Sequence, residues 1–287
     1  SADLTGGKQL VLLVSDAGDG SQGDHADWAG ATLILNASDS QRPEAVALAP
    51  DTSKPELALG DGPEPAIHGP RITGATPGRP FLFLIPATGE GPLSYSAKNL
   101  PAGLALDSKT GIITGALETA GKTNVELTVD GPKGSASRTL TIVGGERALA
   151  LTPPLGWNSW NVWGIVVEDQ HIRDAADCMI KSGLAAHGFQ YVNIDDTWEA
   201  DRGADGVVDT NKRFKDMNAL TDYVHSKGLK IGIYSSPGPK TCAGYTGSYQ
   251  FEEQDAETYA LWGFDYLKYD WCSYGSIAPG KTKEDLM

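Results

Sequence analysis

An all-β sandwich followed by the first four units of a (β/α)8 barrel, with a β-rich module remnant ahead of both, is the multidomain fold class this sequence predicts. Three observations predict it. Between about Ala66 and Gly145 short alternating runs recur with turn signals between them and no helical period, the pattern of a small sandwich. After Leu149 short apolar strands alternate with amphipathic helices, which requires a parallel sheet, open or closed. Residues with chemistry to offer then fall at or just after four successive strand ends: Trp157 and Asn158, Asp195 and Asp196, Tyr234, and Asp270. A site collected from several C-terminal strand ends is the habit of a barrel. A doubly wound sheet fits less well, because no glycine fingerprint follows a first strand. The expected divisions are 1–37, 38–65 (linker), 66–146 (sandwich) and 147–287 (barrel half).

Composition narrows the partners. With 23 basic and 37 acidic side chains the formal charge is -14, which argues against nucleic acid and anionic membrane surfaces and leaves neutral ligands open. No apolar run is long enough to cross a membrane, and SADLTGGKQL has no signal-peptide pattern, as a mature secreted chain would also show. Cys242 and Cys272 follow two successive predicted strands, whereas Cys178 lies inside a predicted helix. That layout permits one disulfide and one buried thiol and leans toward an oxidising compartment.

In chain order, Gln9 to Ser15 reads as a strand, followed by DAGDGSQGDHADWAGATLILN. Asp16, Asp19, Asp24 and Asp27, spaced by glycines, are either oxygen ligands for a calcium ion or a solvated acidic turn; the spacing is not that of an EF-hand. DAGDGSQGDHADWAGATL resembles the C-terminal end of the NPCBM carbohydrate-binding module. One hairpin cannot bury a core alone, so this piece either completes a missing partner or is marginal. Residues 38–65, rich in Pro, Asp, Ser and Ala, read as linker, although AVALA and ELALG could form an edge strand.

The sandwich strands are expected in PFLFLIP, LSYSAK, LALDSKTGIITG, NVELTVDG and SRTLTIVGG. LPAGLALDSKTGIITGALETAG resembles an immunoglobulin-like domain of bacterial multidomain proteins, with Gly103, Gly111 and Gly115 suited to positive φ. Such a domain implies a spacer more than a catalyst.

In the barrel half, a helix is expected from Glu168 to Ser182, burying Ile172, Ala176, Met179 and Ile180 and stopped by Gly183. FQYVNID is the next strand. Met217, Leu220 and Val224 mark a helix closed by Gly228, KIGIYSS is a third strand, and a helix near Glu252 to Trp262 leads into a fourth, DYLKYD. His225 is expected at the surface rather than in a ligand set.

The stretch FDYLKYDWC reads as a short buried strand ending in a carboxylate. Alternation puts Lys268 and Asp270 on one face, where an ammonium would favour the ionised carboxylate and suit it to nucleophilic attack. Tyr266, Tyr269, Trp271 and Tyr274 would wall the site with aromatic surface, as expected where a sugar ring sits over a carboxylate. A strand-end salt bridge with ordinary aromatic packing is the alternative.

GWNSWN, NIDDTW, VHSKGLKIGIYSSPGPKTCAG and LKYDWC together resemble glycoside hydrolase family 27, the melibiase-like α-galactosidases and α-N-acetylgalactosaminidases, over about Thr152 to Gly275. The resemblance implies a TIM-barrel catalytic domain and a retaining exo-glycosidase that removes terminal α-galactose and needs no cofactor for catalysis. It implies Asp270 as nucleophile, Trp157 supporting the apolar sugar face, Asp195, Asp196 and Lys268 binding hydroxyls, Tyr234 beside the nucleophile, and a Cys242–Cys272 disulfide in a secreted or periplasmic, bacterial setting. The residues agree in one respect. Retaining chemistry needs two carboxyl groups about 5 to 5.5 Å apart, and neighbours on a strand face opposite ways, so Asp195 and Asp196 suit hydroxyl binding better than an acid and nucleophile pair.

From Ala150 onward the chain supplies about half of the roughly 250 residues of a typical barrel. The family's acid/base aspartate comes from a later strand, so this piece alone is expected to be inactive, with the rest of the barrel as its missing partner and its apolar edges exposed. Trp271 stands where many relatives carry a smaller residue. Alternatives are a sister specificity (α-N-acetylgalactosamine, β-L-arabinopyranose or an α-glucan) and a non-catalytic carbohydrate-binding protein.

Overall fold

The computed structural model describes residues 60–282 and Asp285. The expected strand at Gln9–Ser15, the Asp16, Asp19, Asp24 and Asp27 loop and the linker as far as residue 59 lie outside the described residues.

The first part contains β1 (Ala66–Ile67), β2 (Ile72–Ala75), β3 (Pro80–Leu84), β4 (Ala87–Thr88), β5 (Ser94–Lys98), β6 (Leu104–Leu106), β7 (Ile112–Ala116), β8 (Gly121–Gly131) and β9 (Gly134–Gly144). They form one sheet of order β2-β9-β8-β5, a second of order β3-β7-β6, and a small β1-β4 pair. Period-two alternation turns Phe81 and Phe83, Val125, Leu127 and Val129, and Leu140 and Ile142 into a single core shared by both large sheets. The expected runs all became strands. The expectation missed β1, β2 and β4, which are too short to show a period, and β2 pairs in parallel with β9 rather than in a hairpin. Gly103, Gly111 and Gly115 do have positive φ, but Gly115 lies within β7, where a Cβ would overlap the Gly103 carbonyl.

The second part contains β10 (Gly156–Asn158), α1 (Trp160–Trp163), α2 (Asp169–Lys181), β11 (Tyr191–Asn193), β12 (Glu199–Arg202), β13 (Val208–Thr210), α3 (Met217–Ser226), β14 (Lys230–Ser235), α4 (Glu252–Leu261) and β15 (Tyr266–Tyr269). β10, β11, β14 and β15 form a parallel sheet in chain order, and β12 pairs with β13 in a separate antiparallel hairpin. That hairpin was not foreseen, because ADRGADGVVDT reads as a polar loop. Val192, Ile194, Ile231 and Ile233 from the sheet pack with Ile172, Ala176 and Met179 of α2 and Leu220 and Val224 of α3. Asp216 caps α3 by accepting from the Ala219 N–H at 2.9 Å. Gly183, Gly228 and Gly263 follow α2, α3 and α4 with positive φ, as expected of helix stops.

Three expectations need correction. Ile180 is 40% exposed, because it lies at the border of the apolar stripe of α2 rather than on it. Cys178 is exposed, not buried, since Ala176 and Met179 occupy the inner face of that helix. β15 is not a buried strand: Tyr266, Leu267 and Tyr269 are 37%, 37% and 44% exposed, because among the described residues β14 is its only sheet neighbour. The sandwich touches the β/α part where Leu84 and Ile112 approach the Gly228 turn and where Gly69 meets Gly188.

Candidate active site

The C-terminal ends of β10, β11, β14 and β15 carry Trp157, Asp195 and Asp196, Tyr234, and Asp270. Just past β11 the chain makes a sharp turn at Thr197, whose φ of 86° is costly for a β-branched residue. Donors and acceptors hold it: the Thr197 N–H reaches Asp196 Oδ1 at 2.7 Å and Glu199 Oε2 at 3.0 Å, while Asn211 Nδ2 and the Arg213 guanidinium donate to its carbonyl. The turn follows directly on the two consecutive carboxylates, Asp195 and Asp196.

Asp195 is 2% exposed and ion-paired with Lys268, Nζ to Oδ2 at 2.6 Å; its other oxygen accepts from the Asp196 N–H at 2.8 Å, and its own N–H meets Ser159 Oγ at 2.9 Å. Asp196 is 1% exposed, and its Oδ2 accepts from the Ala243 N–H at 2.8 Å. Asp270 is half-buried. Its Oδ2 faces the Tyr234 hydroxyl at 3.3 Å and its Oδ1 accepts from the Trp271 N–H at 2.9 Å. Burial first, then the charges of Asp196, Asp270 and Asp195, push the Tyr234 phenol well above its usual range, so it stays a neutral donor amid three carboxylates.

The expected Lys268–Asp270 pairing therefore does not occur. Lys268 reaches past β14 to Asp195 beyond the end of β11, and on the way lies 5.1 Å from the ring of Tyr234, its register partner on β14. The polar neighbour of Asp270 is a phenol, not an ammonium. Trp157 is half-buried and meets Trp163 edge-on at 5.3 Å, and Trp163 stacks on His171 at 4.4 Å. Asn158 is committed locally, its Oδ1 accepting from the Trp160 N–H at 2.9 Å. His225 pairs with Asp265 at 2.8 Å, away from these groups.

A disulfide joins Cys242, in the loop after β14, to Cys272, just after β15. Ser236 reinforces it, donating to the Cys272 carbonyl and accepting from the Cys272 N–H, both at 2.9 Å. The loop that supplies Ala243 N–H to Asp196 is thereby tied to the strand end that carries Asp270.

Residues 152–282 match the family model described as alpha galactosidase A, residues 64–144 an Ig domain model, and residues 1–34 the NPCBM/NEW2 domain. By sequence, residues 152–282 are similar to alpha-galactosidases. Alpha-galactosidase A of Cellvibrio japonicus is 53% identical over 133 residues, and the alpha-galactosidase of Coffea arabica 51% over 137, each covering 46% of this chain. The chain spans only about a third of these relatives, 33% and 36% of their lengths. A solved Bacteroides fragilis structure assigned as an alpha-galactosidase superposes with a TM-score of 0.73 at 44% identity, covering 77% of this chain and 47% of its own.

Within this segment, sequence reading overlooked the groups that hold the site in shape: Ser159, Thr197, Glu199, Arg213 and Ser236. Ser159 and Ser236 sit inside GWNSWN and IYSS, so the motifs did signal them. Glu199 is 1% exposed beside Asp196, and burial raises its carboxyl well above the ordinary range; a lone glutamate in EADR gives no hint of that. Trp198, fully buried, donates Nε1–H to the Tyr234 carbonyl at 2.9 Å and so fixes the strand that presents the phenol.

Proposed function

We infer that this chain carries the nucleophile side of a retaining α-galactosidase of (β/α)8 architecture, with Asp270 attacking the anomeric carbon to form a glycosyl-aspartate intermediate. The observation that carries this reading is the clustering of Asp195, Asp196 and Asp270 around the Tyr234 hydroxyl at the C-terminal ends of adjacent parallel strands. Asp270 has one oxygen on a neutral phenol and remains accessible, which leaves it free to attack. The Asp195–Lys268 pair offers an acceptor and donors side by side, the arrangement that reads the orientation of vicinal hydroxyls. Asp196, fixed by Ala243, supplies a further acceptor, and Trp157 is placed to meet an apolar ring face. The names of the relatives support galactose as the sugar, and the NPCBM match supports a carbohydrate-bearing target. The disulfide fits a protein working in an oxidising compartment.

In the full-length protein, Asp270→Asn is expected to abolish turnover of an aryl α-galactoside, and an activated 2-fluoro-galactoside should label the peptide containing Asp270. Preserved turnover, or a label on another residue, removes Asp270 from this role.

A further inference from the structure

We propose that Asp61, His68 and His187 form a zinc-binding site that pins the sandwich to the β/α segment. The three residues come from separate stretches: Asp61 precedes β1, His68 follows it, and His187 lies in a single helical turn after α2. One ligand atom from each lies within 4.8 Å of the others. Two imidazoles and a carboxylate are a donor set that suits zinc and other late first-row divalent ions better than calcium or magnesium.

The hydrogen bonds around His187 argue further. Its Nδ1 lies 2.8 Å from the Gly183 carbonyl, which can only accept, so Nδ1 carries the proton. In the neutral ring Nε2 then holds a lone pair, and it faces Asp61 Oδ2 at 2.7 Å. Two acceptors so close need a positive centre between them, either a second ring proton or a metal ion. A backbone carbonyl that fixes the tautomer by accepting from the non-ligating nitrogen is also the usual support of a metal-bound histidine.

His68 completes the set. Its Nε2 is 3.7 Å from Asp61 Oδ1, and the two imidazole rings are 5.0 Å apart and tilted by 30°. Ligands about 2.0–2.1 Å from a tetrahedral zinc lie roughly 3.3–3.4 Å from one another, so the observed spacing closes with small side-chain rotations. His68 Nε2 also meets Thr88 Oγ1 at 2.7 Å, and that hydroxyl can turn away when the nitrogen ligates. Arg71 and Arg138 line the same groove, but Arg138 directs its guanidinium to the Ile67 and Gly69 carbonyls at 2.9 and 2.8 Å. The remaining coordination position is left to water. Because Gly69 and Gly188 lie close together at this joint, an ion here would cross-link the two parts.

The test is zinc titration of the metal-free full-length protein by calorimetry, with cobalt(II) absorption as a second readout. Wild type should bind zinc at micromolar or tighter Kd, show the visible bands of tetrahedral cobalt, and melt at a higher temperature with zinc present. His187→Gln and His68→Gln, each checked for native circular dichroism, should weaken that binding by at least about tenfold and lose the cobalt bands. No zinc uptake by wild type below about 100 µM, or the same affinity and bands in both folded variants, overturns the proposal.

Discussion

Replacing Arg202 with methionine should be among the most damaging single changes in the β/α part, though Arg202 touches none of the proposed sugar-binding groups. Its guanidinium makes two 2.6 Å bonds to the two oxygens of Asp255 and donates to the Gly206 and Gly247 carbonyls at 2.9 Å each, while lying 4.1 Å from the Phe251 ring. The side chains of Arg202 and Asp255 are 13% and 2% exposed. One side chain thus ties β12, the turn before β13, the loop after β14 and the start of α4.

Removing the cation strands a buried carboxylate, which costs about 3–5 kcal/mol. Methionine contact with Phe251 returns about 0.3–1.5 kcal/mol, while the two carbonyls left unpaired cost about 1–3 kcal/mol each where they are buried, so the net loss is at least about 3–5 kcal/mol. At about 2–4 °C per kcal/mol for a unit of this size, the melting temperature should fall by roughly 6–20 °C. Urea unfolding followed by tryptophan fluorescence reads this directly, since Trp198 and Trp262 lie close by. Arg202→Met with Asp255→Leu should recover much of the loss, because a packed apolar pair often matches a buried ion pair. A single variant within about 1 kcal/mol of wild type, or a double variant whose losses simply add, would refute the reasoning.

Glu199→Gln should change how stability depends on pH. The folded carboxyl is raised well above its ordinary 4.5 by burial, so between those values the folded state holds a proton the unfolded chain has released, and stability falls as pH rises through that window. The variant should lose that slope in urea titrations from acid to neutral pH; parallel curves would count against it. Lys268→Met should leave Asp195 with its neutral donors only and lower kcat/KM on an aryl α-galactoside by about 5- to 150-fold, the equivalent of roughly 1–3 kcal/mol. Because Asp195 is 2% exposed, loss of the cation also strands a buried carboxylate and should lower the melting temperature as well, and a change in stability without a change in kinetics would contradict the assignment. Reduction of the Cys242–Cys272 bridge, which spans 30 residues, should cost up to about 3–4 kcal/mol on loop-closure grounds, read as a lower urea midpoint with dithiothreitol than without.

The parts of this fold that were legible in the sequence are those with a period. Val125, Leu127 and Val129 alternate along β8, and Met217, Leu220 and Val224 share one face of α3, so strand and helix announced themselves and the order of the parallel sheet followed. β12 and β13 had no such signal: their hairpin is held because Arg202 bonds to Asp255 and the Gly247 carbonyl and Val208 is buried in the core. Lys268 shows the same limit within the site. Alternation correctly placed it near the strand end, but its partner depends on strand register across the sheet, which a single strand cannot specify. The His68 and His187 cluster is the extreme case, since its members meet only through the contact between two folded parts.

What the site residues share is dependence on one strained turn. Thr197 in a left-handed conformation costs about 1–3 kcal/mol, and nothing in its own side chain requires it. The cost is offset because the preceding Asp196 and Glu199, Asn211 and Arg213 all satisfy its peptide groups, the last three arriving from the β12–β13 hairpin and the chain just beyond it. An ordinary extended Thr197 would carry Asp196 away from the Ala243 N–H and break the link to the disulfide-tied loop. The unforeseen hairpin therefore has a structural place: through Glu199, Asn211 and Arg213 it holds the turn that follows Asp195 and Asp196.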